Sequence, residues 1–358
     1  MIRVRTASLD DLDAIRAVSV RNGLSGFDCE ERRRWWLSHP FQKEFDGVPI
    51  GWVLENSDGK IVGTFSNVHM MYEIDGQRFK CGIAGSWGVD AEYRSASLLL
   101  AASFFSQKGV DICFNGSASS VSSRLMPVMR AKKFEAADYD VSYLWITGHQ
   151  SFAEAVLRKK NVPGAEVVSR AAGLVLSAAD RWTVKRRSHN CSVKELGGFG
   201  EEFDYLWKTL SRKGRCFRGV RSAAALEWRF GEGLRTKHAI VLGATKNGKL
   251  SGYVVLCEKS REHLKLKEFV IKDLQVVDDS PELILDLLSA AIEVTRERGL
   301  DALEFQGWNA AKRKAALALR PRAYRYPVWP LYYTAINPEL ISTLACAEAL
   351  DCSPFDAF

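Results

Sequence analysis

Two hydrophobic rhythms alternate along this chain, one of period two and one near 3.6, and their order predicts its elements. Residues 2–6 alternate as a strand. Ser8 then stands where a helix N-cap belongs, with Asp10 and Asp11 in the first turn and Leu12, Ile15 and Val18 at helical spacing. A second short helix is expected over 30–37, ending before His39-Pro40. Strands over 51–55 and 60–65 flank the turn Asn56-Ser57-Asp58-Gly59, and a strand ending at Tyr72 leads through Asp75-Gly76 into a strand over 77–89. A helix over 95–108, a strand over 111–115, a helix over 119–129 and a strand over 134–146 follow.

Residues 148–184 read as a connector: a helix over 151–160, the turn 161–164 with its Pro163-Gly164, and an apolar helix over 170–179. Then the same grammar begins again. Helices are expected over 203–210 and 221–230, and strands over 239–245 and 250–258 around Asn247-Gly248. A strand over 269–277 precedes a helix that Ser280 caps and Pro281 opens, running to Gly299, before a strand over 302–305. Two α/β units are expected, over 1–147 and 185–335, with 336–358 as a tail.

Composition fits this division. A chain of 358 residues exceeds one ordinary core. No run reaches the roughly 18 consecutive apolar residues of a membrane helix, and the start Met1-Ile2-Arg3-Val4-Arg5 has no apolar signal core, so a cytoplasmic location is expected. The eight cysteines form no C-x-x-C pair and none stands at zinc spacing with a histidine, so no metal site is expected. The net charge of +7 suits an anionic ligand, and equally a solvated surface with no electrostatic task. The runs Arg32-Arg33-Arg34 and Lys185-Arg186-Arg187 are too short to argue for nucleic acid.

One stretch carries chemistry. Gly85-Ser86-Trp87-Gly88-Val89-Asp90-Ala91-Glu92-Tyr93-Arg94-Ser95-Ala96-Ser97, followed by Leu98, is a strand end, a polar loop with one arginine, and a helix opening on small residues. Such a helix start offers unpaired N–H groups and the positive end of a helix dipole to a phosphate. In position this stretch resembles the acyl-CoA loop of the GNAT acyltransferase superfamily, which reads R-x-x-G-x-G or R-x-x-G-x-A. Arg94 keeps the arginine, while Ser97 and Leu99 stand at the glycine positions. Asn115, Ala118 and Phe134 match a second GNAT pattern, N-x-x-A-N … Y-x-x-x-G-F, whose tyrosine falls near Met129 and whose glycine is Lys133. The order of elements over 1–147 is also the GNAT order. The segment R-S-x-x-x-L-x-W-R-F at 221–230 resembles the second half of tandem GNAT-like proteins, many of them encoded with surface-polysaccharide genes.

The resemblance implies tandem GNAT-like α/β units, each a mixed, mostly antiparallel sheet flanked by helices. It implies an N-acyltransferase moving an acyl group from acetyl-CoA, or another acyl-CoA, to a primary amine such as an amino sugar. Trp87, Gly88, Val89, Arg94, Ser95, Ala96, Ser97, Leu98 and Asn115 would hold the cofactor. For proton transfer the candidates are His69, whose ordinary pKa lies near neutrality, with Glu92 and Asp90, and Tyr93 toward the leaving thiolate. Each also reads as packing or a solvated loop residue. Trp35 and Trp36 on the second helix would border the acceptor, or else pack between the units. The matching loop of the second unit, Val277-Asp278-Asp279-Ser280-Pro281-Glu282, has three carboxylates where a pyrophosphate would sit, and reads as a degenerate site. Two alternatives remain: a Fem-type transferase fed by aminoacyl-tRNA, under which alone nucleic acid enters, and a non-catalytic scaffold.

Overall fold

A computed structural model describes residues 2–116, 118–119, 122–134, 141–159, 191–211, 216–306, 310–325, 330–346, 351 and 353–356. The turn expected at 161–164, the helix over 170–179 and the run Lys185-Arg186-Arg187 lie outside them.

The first half runs β1 (Arg3–Thr6), α1 (Leu12–Arg21), α2 (Cys29–Leu37), β2 (Gly51–Glu55), β3 (Ile61–Ile74), β4 (Gln77–Val89), α3 (Ser97–Phe105), β5 (Ile112–Asn115), β6 (Lys132–Lys133), β7 (Val141–Ile146) and α4 (His149–Lys159). The second runs β8 (Ser192–Leu196), α5 (Glu201–Ser211), β9 (Arg218–Gly219), α6 (Ala223–Arg235), β10 (Ala239–Lys246), β11 (Lys249–Arg261), β12 (Leu266–Val276), α7 (Pro281–Glu297), β13 (Ala302–Phe305), α8 (Ala310–Leu317), β14 (Arg322–Arg325), β15 (Tyr332–Ala335) and α9 (Pro338–Leu344).

Local chemistry sets these boundaries. The Ser8 hydroxyl accepts from the Asp10 N–H and the Asp11 carboxylate accepts from the Ser8 N–H, a reciprocal cap at the turn that leads into α1. Asp28 caps α2, Ser222 caps α6, and Ser280 with Pro281 opens α7. Both central residues of the β3–β4 turn, Asp75 and Gly76, have positive φ, as do Asn247 and Gly248 between β10 and β11. That geometry matches the twist of paired strands.

Two sheets result. The first has the order β1-β2-β3-β4-β5-β15-β6, with β9 also on β3, and the second the order β14-β7-β13-β12-β11-β10-β8. Read from β1 and from β8, the two orders correspond strand for strand. In each, the fourth and fifth strands are parallel and joined by a helix, α3 in one and α7 in the other. The last strands are exchanged. The strand expected over 134–146 in the first unit is β7, which pairs with β13 and β14 in the second sheet. In return β15 pairs with β5 and β6 in the first. A cut near residue 148 therefore divides both sheets.

Two further readings are corrected. The helix expected over 119–129 is a single 3-10 turn, Ser122–Arg124, within a run of turns. Pro127 lacks the N–H a helix needs there and would clash with the preceding turn. The expected tail instead supplies α9 and a buried segment, with Phe355 wholly enclosed. A single apolar core joins the halves: Tyr72, Phe79 and Phe114 pack with Phe203, Phe217 and Tyr253. Across the junction, Trp35 of α2 stacks on Trp228 of α6 at 4.3 Å, and the Trp228 indole N–H donates to the Trp35 carbonyl at 2.8 Å.

Candidate functional site

The candidate site is the gap where β4 and β5 part. Cys81, Gly82 and Ile83 pair with Ile112, Cys113 and Phe114, and beyond Ile83 the two strands diverge. β4 is bulged at that point. Phe65 faces Trp87 and Asn67 faces Ala84, so Gly85 and Ser86 together oppose Ser66. A Cβ at Gly85 would sit 3.0 Å from the Ser66 Cβ, so a side chain there would crowd the bulge. Trp87 packs on Phe65 at 5.0 Å and reaches across the gap to Ala118, Met126 and Tyr332, with Phe105 alongside. Asn115 ends β5, buried opposite Tyr332, and its amide lies 3.9 Å from the Met126 sulfur.

Beyond Val89 the loop is pinned at Asp90. Its N–H donates to the Val62 carbonyl at 2.8 Å, and its carboxylate accepts from Arg21 at 2.7 Å and Asn22 at 2.9 Å. Burial opposes ionisation of Asp90, but these hydrogen bonds outweigh it and hold the carboxyl below its ordinary value. Asp90 therefore fixes the loop. Residues Ala91–Ala96 form a 3-10 turn that feeds α3, and no side chain caps either start. The first N–H groups of both thus have no side-chain acceptor, while the Tyr93 and Ser97 N–H groups donate to the Asp90 and Arg94 carbonyls. Arg94 and Ser95 are exposed, Ala96 is buried and Ser97 half-buried. Arg94 makes no ion pair or hydrogen bond with the described residues. Leu98 and Leu99, 37% and 50% exposed, face outward, Leu99 at one of the two positions where a glycine was expected to admit a backbone.

The other candidates lie elsewhere. Glu92 is exposed on the loop, and the Tyr93 hydroxyl is 3.5 Å from the Asn56 amide, bracing the β2–β3 turn. His69 is buried on β3, stacked on Phe45 at 4.7 Å with Trp36 edge-on at 5.4 Å. Its Nε2 N–H donates to the Pro49 carbonyl at 3.1 Å. Burial is the main cause that brings its pKa down to about 4, so the imidazole is neutral at pH 7. It faces Gly82, three β4 residues short of the bulge at Gly85, roughly 10 Å at about 3.4 Å per residue, and it is enclosed by its own aromatic box. His39 is fixed as a neutral ring too: its Nε2 N–H donates to the His69 carbonyl at 3.0 Å, and its Nδ1 accepts from the Phe41 N–H. Trp35 and Trp36 complete this aromatic cluster with Trp228. The structure thus brings together Trp87, Gly88, Val89, the loop 94–98 and Asn115, and sets His69, Trp35 and Trp36 apart from them.

Sequence reasoning missed two groups at the gap. Tyr332 arrives on β15, from the far end of the chain, through the strand exchange. Asn67, wholly buried below the bulge, donates to the Pro49 carbonyl at 2.7 Å and to the Gln107 side-chain oxygen at 2.8 Å. An amide inside the apolar run of β3 was the available signal for Asn67; nothing local signals Tyr332.

The second unit has a matching gap, and it is filled. Val255 faces Asp273 and Leu256 faces Ile271, so Lys272 is the extra residue of a bulge on β12. The space between β12 and Gln306 is lined by Asp351, Ser353 and Pro354. The Ser353 hydroxyl lies 3.3 Å from the Lys272 carbonyl and 3.1 Å from the Asp273 carboxylate. Arg221, fully buried, joins Asp273 at 3.3 Å to Asp356 at 3.0 Å, and Asp356 also accepts from the Tyr72 hydroxyl at 2.9 Å. Lys312 holds Asp351 at 2.9 Å. Burial opposes that charge, but Lys312, Arg218 and Arg221 outweigh it and bring the Asp351 carboxyl down to about 2.

Comparison with known structures places the fold. The chain superposes on a GCN5-related N-acetyltransferase from Anabaena variabilis with TM-score 0.58 at 14% identity, over 94% of this chain and 73% of that one. A GCN5-related N-acetyltransferase from Kribbella flavida gives TM-score 0.58 at 13% identity, over 94% and 71%. The N-myristoyltransferase of Saccharomyces cerevisiae with bound myristoyl-CoA gives 0.55 at 11%, over 94% and 86%. No protein-family profile and no curated protein matches the sequence. The chain is a tandem α/β protein with the fold of the GCN5-related N-acetyltransferases, and at these identities the likeness speaks for the fold.

Proposed function

We propose that this protein is an N-acyltransferase that takes an acyl group from a pantetheine thioester, acyl-CoA in its simplest form and acetyl-CoA as first choice, and places it on a primary amine. Amino sugars head the acceptor screen. The observation that carries the reading is the bulged, parted β4 running into a helix start without a side-chain cap, beside Arg94, which pairs with none of the described residues. The myristoyl-CoA bound by the superposable yeast N-myristoyltransferase supports it.

In this reading the edge of β4 at Trp87, Gly88 and Val89 pairs with the amides of the pantetheine arm. Arg94, Ser95, Ala96, Ser97 and the Leu98 backbone hold its diphosphate end, and Asn115 borders the arm from β5. The amine nitrogen attacks the thioester carbonyl, with a backbone N–H of the bulge stabilising the oxyanion. The carbon–sulfur bond breaks as the carbon–nitrogen bond forms; the nitrogen releases its extra proton to water, and the thiolate takes one from an acid that water then reprotonates. We assign the role of that acid to the Tyr332 phenol, which stands opposite Asn115. Glu92 and Tyr93 lie eight and nine residues beyond Ala84, at the diphosphate end, and His69 is a neutral wall residue. None of the three is retained for proton transfer.

Calorimetric titration of acetyl-CoA and CoA tests the site. Micromolar binding, weakened at least tenfold by Arg94→Ala, is expected. No binding of either ligand overturns acyl-CoA as the donor. With an acceptor in hand, Tyr332→Phe is expected to lower kcat while leaving donor binding within twofold.

A further inference from the structure

The two lips of the first gap share an unusual surface. From Ile112 to Phe134 the chain has no aspartate or glutamate, yet it carries Arg124, Arg130, Lys132 and Lys133, all exposed. The opposite lip adds Arg94, with Glu92 its one exposed acid over 91–99. The same lips expose large apolar side chains. Leu98 and Leu99 stand on the first turn of α3, and Val128, 64% exposed, lies between Arg124 and Arg130 on the other side. Trp87 and Met126 meet across the gap, so both lips belong to one mouth.

Free CoA explains only part of this. Its phosphates account for the cations, but they gain nothing from three exposed aliphatic side chains. Exposed apolar residues ringed by charge of one sign fit a protein surface of opposite charge. The replacement of both glycines points the same way. Ser97 and Leu99 hinder the close backbone approach of a diphosphate, whereas an arm carried on a protein brings a single phosphodiester.

We propose that the mouth of this gap docks an acidic carrier protein bearing a 4′-phosphopantetheine thioester, and that this carrier, rather than free CoA, is the preferred donor. Arg94 meets the phosphodiester, the arm enters between β4 and β5, and Leu98, Leu99 and Val128 pack on the carrier with the lip cations around them. The proposal rests on the reading of the gap as a pantetheine site.

The test compares three probes on the full chain by calorimetry: an acyl carrier protein with its phosphopantetheine arm, the same carrier without the arm, and CoA. The armed carrier is expected to bind at least tenfold more tightly than CoA and than the bare carrier, with affinity falling as salt rises. Val128→Asp is expected to weaken the armed carrier at least fivefold and to leave CoA within twofold. If CoA binds as tightly as the armed carrier, or if Val128→Asp leaves the carrier unchanged, the proposal fails and the pantetheine site stands. If neither the armed carrier nor CoA binds, both fall together.

Discussion

The two gaps of this molecule are built alike and used differently. Each opens where a bulged fourth strand leaves a parallel fifth strand, and each is followed by a helix start. In the first, the lips are basic and the helix start has no cap. In the second, Ser280 caps α7, Asp278, Asp279 and Glu282 surround the loop, and Asp351, Ser353 and Pro354 line the space between the strands. The Ser353 hydroxyl reaches the carbonyl of the bulge residue Lys272, so the chain itself takes the hydrogen bond that a ligand amide would take. The comparison teaches that a bulged, parted sheet supplies a slot and no more. Neighbouring charge and the path of the chain end decide whether the slot stays available.

The largest expected effect comes from breaking the filled gap. Arg221→Met leaves Asp273 and Asp356 buried without their shared cation, which should cost about 3–5 kcal/mol. Urea unfolding would read this as a lower midpoint with little change in slope. A loss under 1 kcal/mol would show that the buried network does not hold the segment in place.

Acid should loosen the first unit next. His69 has a folded-state pKa of about 4 against an ordinary value of 6.5, so below pH 6.5 the unfolded chain binds a proton that the folded chain refuses. Stability is therefore full above pH 6.5 and falls as pH drops toward 4. The loss is roughly 2 kcal/mol by pH 5, before most carboxylates titrate. His39, lowered chiefly by burial with Glu44 acting against it, adds in the same direction. Urea midpoints at pH 7.5 and 5.0 should converge in His69→Gln, and equal slopes of stability against pH in both proteins would contradict the burial argument.

The smallest expected effect is a null one. Neutralising the second loop as Asp278→Asn, Asp279→Asn and Glu282→Gln should leave the number of CoA molecules bound per chain unchanged, because Asp351, Ser353 and Pro354 still occupy the gap. A second equivalent of CoA in the titration would show that charge alone closes it.

Much of the architecture was legible in order and spacing. The caps at Ser8 and Ser280, the turns Asp75-Gly76 and Asn247-Gly248, and the whole of β4 follow from local rules: hydroxyl caps, positive φ at tight turns, and period-two alternation. The loop at 90–98 was legible for the same reason, since strand, loop and helix start are contiguous. His69 was misread because a histidine in a strand looks alike whether it faces a cleft or an aromatic box. Its stacking on Phe45 and its bond to Pro49 depend on residues 20 or more positions away.

The sequence by itself determined two α/β units in tandem, the place of the fourth strand, and the arginine of one loop against the three carboxylates of the other. Hydrophobic period, caps and charge act over a few residues, so they are written where they act. Only the tertiary structure decided that β7 and β15 change places, that Tyr332 stands at the first gap, and that Asp351, Ser353 and Pro354 occupy the second. A strand's alternation says which face is buried and not which edge it joins. That choice is made by the two sheets closing over one shared core.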